Sequence, residues 1–168
     1  MWQYTGQQRP PFAQTPQPGQ ESVWDYPRPP ALRRCEQLIR VERLEHGGQL
    51  LAQSVLGWRV CETASPPTVY IPPQQVDFDQ LVPLSGQSFC EWKGRAVYWG
   101  LKEAADDADA APVAWAYPHP TPAFAALKDF LCFYPARVAC FLDGERVRPQ
   151  PGRFYRTHRK TPSFRSGI

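Results

Sequence analysis

The chain has 168 residues, enough for one ordinary domain and too few for two. Its 42% hydrophobic and 13% aromatic content excludes wholesale disorder, and a net charge of +3 argues against a dedicated nucleic-acid binder. The 20 prolines, about 12% against a typical ~5%, exclude a long-helix architecture, because proline breaks helices and central strands alike.

Residues 1–20 hold six Gln and four Pro and build no periodic apolar face, which predicts a flexible arm with Trp2, Tyr4 and Phe12 as its weak docking groups. A strand is expected over Leu38–Leu44, with Ile39, Val41 and Arg43 sharing a face. His46-Gly47-Gly48 then turns the chain into a return strand over Gln49–Ser54. Trp58–Glu62 alternates as a third strand, Ser65-Pro66-Pro67 breaks it, and Thr68–Ile71 resumes extended. Gln74–Leu81 has room for one helical turn after Pro72-Pro73. Ser88–Lys93 and Arg95–Leu101 read as a strand pair bent at Gly94.

An Ala/Asp loop follows, and its Asp106, Asp107 and Asp109 read as solvated rather than as a calcium loop. Val113–Tyr117 is a short strand. The best helix comes next, near 122–133: Thr121 suits the N-cap, Pro122 the first helical position, and Phe124, Leu127 and Leu131 keep helical spacing. Arg137–Leu142 and Glu145–Arg148 flank an Asp143-Gly144 turn as a second hairpin, and Pro149-Gln150-Pro151-Gly152 closes the domain. Seven or eight strands, one short helix and many proline corners predict a mainly β, compact two-sheet antiparallel domain. The expected organisation is an arm over 1–20, a single β domain over 21–155 and a basic tail over 156–168.

The charge is unevenly spread. Residues 146–168 hold seven Lys/Arg and no Asp/Glu, leaving 12 basic against 16 acidic residues elsewhere, a body of about −4. Nucleic-acid binding is thus open for the tail and unlikely for the domain. The five cysteines form no C-x-x-C pair and the three histidines lie far apart, so no metal site is indicated and free thiols in a reducing compartment are expected. No apolar run reaches about 18 residues and no basic-then-apolar leader opens the chain, which predicts a soluble cytoplasmic protein without a membrane span.

Six segments occur in one order: Trp24-Asp25-Tyr26-Pro27-Arg28-Pro29-Pro30, Arg59-Val60-Cys61-Glu62-Thr63, Tyr70-Ile71-Pro72-Pro73, Cys90-Glu91-Trp92-Lys93-Gly94, Ala114-Trp115-Ala116-Tyr117-Pro118 and Pro149-Gln150-Pro151-Gly152. From about Glu21 to Tyr155 the chain resembles the bacterial "domain of unknown function 427" family, also labelled nucleotidyltransferase-like. The resemblance implies a β-tent fold, two antiparallel sheets meeting at an angle, similar to methionine-R-sulfoxide reductase and the ligand-binding domain of cereblon. Many of those relatives hold zinc with two C-x-x-C pairs; both pairs are absent here, so zinc is not carried over. The chain departs from the family's pattern at Ser65, where a histidine is usual, and over Arg153–Lys160, where a glycine-rich, Trp-containing segment is usual.

The candidate catalytic residues are Cys90 and Glu62. Lys93, three residues after Cys90, could lower its thiol pKa, although strand alternation separates the two side chains. Glu62 could serve as a general base if buried. The plainer readings are a core cysteine and an intramolecular Arg–carboxylate bridge. The candidate ligand-binding residues are Trp24, Arg28, Arg59, Trp92, Lys93, Trp115 and Tyr117: cations at the rim for an anionic group, aromatic rings for a planar body. Arg59 shares a strand face with Cys61 and Thr63, whereas Trp58, Val60 and Glu62 share the other. No phosphate-binding G-x-x-x-x-G-K-[ST] motif occurs, and Asp77/Asp79 is the only carboxylate pair outside the Ala/Asp loop. The function expected is binding of a small polar or anionic molecule in an aromatic-lined pocket between the two sheets, with no cofactor assigned. The alternatives are a nucleotidyltransferase-like enzyme and a nonenzymatic interaction module that uses the basic tail.

Overall fold

A computed structural model describes residues 3–45, 47–104 and 110–149. Trp2, His46, the Asp106/Asp107/Asp109 loop, Gln150–Gly152 and the basic tail lie outside the described residues. Among the described residues eleven strands run in the order β1 (Ala31–Cys35), β2 (Ile39–Glu42), β3 (Leu50–Ser54), β4 (Gly57–Glu62), β5 (Ser65–Ile71), β6 (Leu81–Cys90), β7 (Gly94–Leu101), β8 (Ala114–Pro120), β9 (Leu131–Phe133), β10 (Ala139–Leu142) and β11 (Glu145–Arg146). They make two antiparallel sheets: seven strands ordered β1-β4-β5-β9-β8-β7-β6, and four ordered β11-β10-β2-β3. The domain is mainly β, and neither sheet closes into a barrel. No helix among the described residues is long and apolar enough to cross a membrane.

The two glycine-turn hairpins form as expected: β2 pairs with β3, and β10 with β11. Ile39 and Val41 face the core, and Arg43 follows them inward, its Nη1 donating to Glu103 Oε1 at 2.7 Å. Three expectations are corrected. The Ser65-Pro66-Pro67 stretch does not break a strand but begins β5. The Gly94 bend is real, but β6 ends at Cys90, so Glu91–Lys93 is a turn rather than strand. The helix near 122–133 is shorter than its spacing suggests. It is a 3-10 helix over Pro122–Leu127, and Leu131–Phe133 pairs with β5 and β8 as a central strand. Thr121 occupies the N-cap position, yet its hydroxyl is used elsewhere, on Trp92 O.

The core lies between the sheets. Ile39 and Val41 of β2 meet Cys140 and Leu142 of β10 on one side. On the other are Val69 and Ile71 of β5, Ala114 and Ala116 of β8, and Leu131 and Phe133 of β9. Because strand side chains alternate, the odd-numbered residues of β5 enter this core and the even-numbered ones leave by the opposite face of the large sheet. That opposite face carries Tyr70, Ala96, Trp115, Tyr117 and Cys132, buried in a second apolar group with Phe124 and Leu127 of the 3-10 helix.

Candidate functional site

A cleft of about 620 Å³ opens on the outer face of the seven-stranded sheet. Its floor and walls come from alternate residues of neighbouring strands: Val60 and Glu62 of β4, Thr68 and Tyr70 of β5, Ala96 and Tyr98 of β7, and Trp115 and Tyr117 of β8. The β6–β7 turn adds Cys90, Glu91, Trp92 and Lys93, and Arg28 reaches in from before β1. The size is that of a small-molecule site. The expected position between the two sheets is corrected. The gap there has room for only about 20 Å³ and is lined by Ile39, Val69, Cys140 and other apolar side chains, because the facing residues interdigitate as core.

Polar contacts order the cleft. Arg28 Nη2 donates to Glu62 Oε1, and both side chains are mostly covered. Trp115 Nε1 donates to the Tyr70 hydroxyl at 3.2 Å, with their rings edge-on at 6.2 Å. Burial pushes the Tyr70 hydroxyl and the neighbouring Cys132 thiol well above their ordinary pKa values, so both stay protonated at neutral pH. Tyr98 OH and Ser88 Oγ are hydrogen-bonded at 2.6 Å on the β6–β7 wall. Tyr134 packs on Trp115 with ring centroids 4.5 Å apart.

The β6–β7 turn is pinned from β8's end. Thr121 Oγ1 donates to Trp92 O at 2.5 Å, and Thr121 N donates to Lys93 O at 3.2 Å. Gly94 then has φ +99°, and a Cβ there would stand 3.1 Å from His119 O, so the turn closes against backbone that only glycine accommodates. A turn, unlike a strand, lets consecutive Trp92 and Lys93 both reach the cleft. Lys93 is 9% exposed, with its Nζ 5.8 Å from the Tyr117 ring centroid and 5.9 Å from that of Phe124.

Seven of the nine sequence candidates therefore meet at one place: Arg28, Glu62, Cys90, Trp92, Lys93, Trp115 and Tyr117. The other two do not reach it. Arg59 lies on the opposite face of β4, where it bonds the Glu21 carboxylate and, at 3.2 Å, the Tyr26 hydroxyl. Trp24 is flanked edge-on by Tyr4 and Phe12 of the N-terminal arm, at 5.7 and 5.4 Å, while Arg9 grips both Asp25 oxygens at 2.6 Å. Glu62 is engaged by Arg28, and no hydrogen bond or ion pair joins Cys90 to Lys93 among the described residues. Asp77 and Asp79 are part of a local turn: Asp77 accepts from Asp79 N and from Gln80 Nε2. Among the described residues no three His, Cys, Asp or Glu side chains gather as a metal site.

Sequence reasoning missed Tyr70 as the polar anchor of Trp115, and it missed Tyr98, Tyr134 and Thr68 as walls. For Thr68, Tyr70 and Tyr98, even-numbered alternation with the core residues of β5 and β7 was the available signal, whereas Tyr134 follows β9, which the sequence reads as helix.

The family model described as "Domain of unknown function (DUF427)" matches residues 31–144. The chain therefore belongs to that family. No curated protein matches it.

Proposed function

We propose that this member of the DUF427 family binds a small polar or anionic molecule in the cleft on the outer face of its seven-stranded sheet. The observation that supports this reading most is the convergence of Trp92, Tyr98, Trp115, Tyr117, Arg28 and Lys93, from separate strands and turns, on one space of about 620 Å³. Aromatic walls give a ligand apolar area with little loss of side-chain entropy, and a few polar groups orient it. A packed core needs no such opening, and the larger of the two apolar groups lies on the sheet's other face.

A ligand-observed NMR screen of small aromatic and polar fragments tests the proposal. Ser88 is exposed on β6 and lines the cleft, so Ser88→Trp should fill its mouth without disturbing the fold. Hits are expected to bind the native protein and Val55→Trp, an exposed position outside the cleft lining, but not Ser88→Trp. Hits that survive Ser88→Trp, or a screen with no hits, would overturn the reading.

A further inference from the structure

Resting on the cleft reading above, we propose that the ligand is a flat aromatic monoanion whose carboxylate is held by Lys93. Three observations on the page converge on it. First, Lys93 lines the cleft with most of its side chain covered, and among the described residues it forms no ion pair; its Nζ stands 5.8 and 5.9 Å from the ring centroids of Tyr117 and Phe124. Ring faces attract an ammonium but leave its donors free for an anionic partner. A cation of this kind is completed by an incoming anion. Second, the backbone that carries Lys93 is held in place: the Thr121 bonds to Trp92 O and Lys93 O fix the turn, and Gly94 closes it.

Third, the charges around the cleft fix the ligand's charge at one. Arg28 is engaged by Glu62, so that pair cancels. Glu91 lines the rim but is exposed and makes no ion pair with Lys93. One negative charge pairs with the one lysine of the cleft lining. A phosphate monoester carries up to two at neutral pH, and its surplus would face the Glu62 and Glu91 carboxylates. The walls select the rest of the molecule. Trp92, Trp115 and Tyr134 line the cleft with ring surface, and because Tyr134 packs on Trp115 with centroids 4.5 Å apart, a planar body would lie against this pair.

Calorimetric titration of the full chain with 2-naphthoate, 2-naphthamide and 2-naphthyl phosphate tests this. Naphthoate is expected to bind at least tenfold tighter than the neutral amide, and tighter than the phosphate. Lys93→Gln should bring naphthoate down to the amide's affinity and leave the amide within about twofold, while Lys93→Arg keeps a preference for the acid. Glu91→Gln, a change at an exposed position, should tighten naphthoate and the phosphate and leave the amide unchanged. Equal affinity for acid and amide in the native protein, or a preference that survives Lys93→Gln, would overturn the Lys93 assignment while leaving the cleft reading intact. Tighter binding of the phosphate would overturn the single charge. Failure of all three compounds would overturn this inference, while the fragment screen decides the cleft reading separately. If Lys93→Gln does not fold, the Glu91→Gln effect decides: no change in naphthoate affinity counts against the proposal.

Discussion

Arg59→Met separates structure from ligand binding, because Arg59 works on the face of β4 that the cleft does not use. Its Nη1 lies 3.4 Å from Glu21 Oε1 and its Nη2 bonds Glu21 Oε2, while Tyr26 OH donates to the same carboxylate at 2.6 Å. This trio ties the segment before β1 onto the large sheet. Breaking a fully buried pair costs ~3–5 kcal/mol and an exposed one ~0–1. The Arg59 side chain is 13% exposed but Glu21 is 39% exposed, so water screens one partner. A loss of ~1–3 kcal/mol is expected, and at ~2–4 °C per kcal/mol for a chain of this size Tm should fall by about 2–12 °C. The pH dependence gives a second, independent readout. Burial pushes the Glu21 carboxyl up, but the hydrogen bonds from Arg59 and Tyr26 outweigh it and hold the group below its ordinary value of 4.5. A carboxylate whose pKa is lower folded than unfolded contributes its stability above the unfolded value, and loses it as the pH falls through the folded one. Thermal melts followed by circular dichroism should therefore show a native-to-variant gap at neutral pH that shrinks once the pH drops below about 4.5. Fragment binding in the cleft should be unchanged. An equal Tm at neutral pH, or a gap that persists undiminished into acid, would refute the assignment.

Tyr70→Phe removes the acceptor for Trp115 Nε1 in a fully buried setting, so ~1–3 kcal/mol of stability should be lost, read as a lower denaturation midpoint in urea; a midpoint equal to the native one would show that the bond is not needed. Thiol chemistry should single out Cys90. Burial raises the pKa of Cys35, Cys61 and Cys132, and pushes that of Cys140 up to about 12, whereas Cys90 is half-buried in the cleft wall. Ellman's reagent should titrate one fast thiol in the native protein, none in Cys90→Ser and five after denaturation of the native chain; a second fast thiol would contradict the burial pattern.

The hairpins were legible because glycine turns and period-2 alternation are local signals: Ile39, Val41 and the Asp143-Gly144 turn needed nothing from the rest of the chain. The short central strand Leu131–Phe133 was not. Its residues continue the helical spacing of Phe124 and Leu127, and only the open edges of β5 and β8 recruit them into the sheet. β1 was likewise missed, since Leu32-Arg33-Arg34 carries no alternating apolar pattern on an edge strand whose middle is exposed. For the site, the residue types were legible and the faces only in part. Alternation on β4 already separates Arg59 from Glu62, yet which of the two faces would bear the cleft depends on the tertiary packing of β2 and β10. Lys93 reaches the cleft because Glu91–Lys93 is a turn, and its anchor, Thr121, is 28 residues away in sequence.

The cleft's place on one sheet, rather than between two, follows from where the ladder is irregular. Register shifts fall between Val60 and Glu62 on β4, between Leu84 and Gln87 on β6, and between Arg95 and Val97 on β7. Each lies beside residues that line the cleft, among them Val60, Glu62, Ser88 and Ala96. An extra residue in one strand of a pair bends that strand and increases its local twist. Three such bends in a seven-stranded sheet curl its outer face, so that β4 and β5 become one wall and β6 and β7 the other. The inner face stays filled by the four-stranded sheet. One set of alternate residues thus builds the core between the sheets while the other lines the cleft above a second apolar group, and Ser88→Trp, at an exposed position on β6, changes the cleft's mouth without entering the core between the sheets.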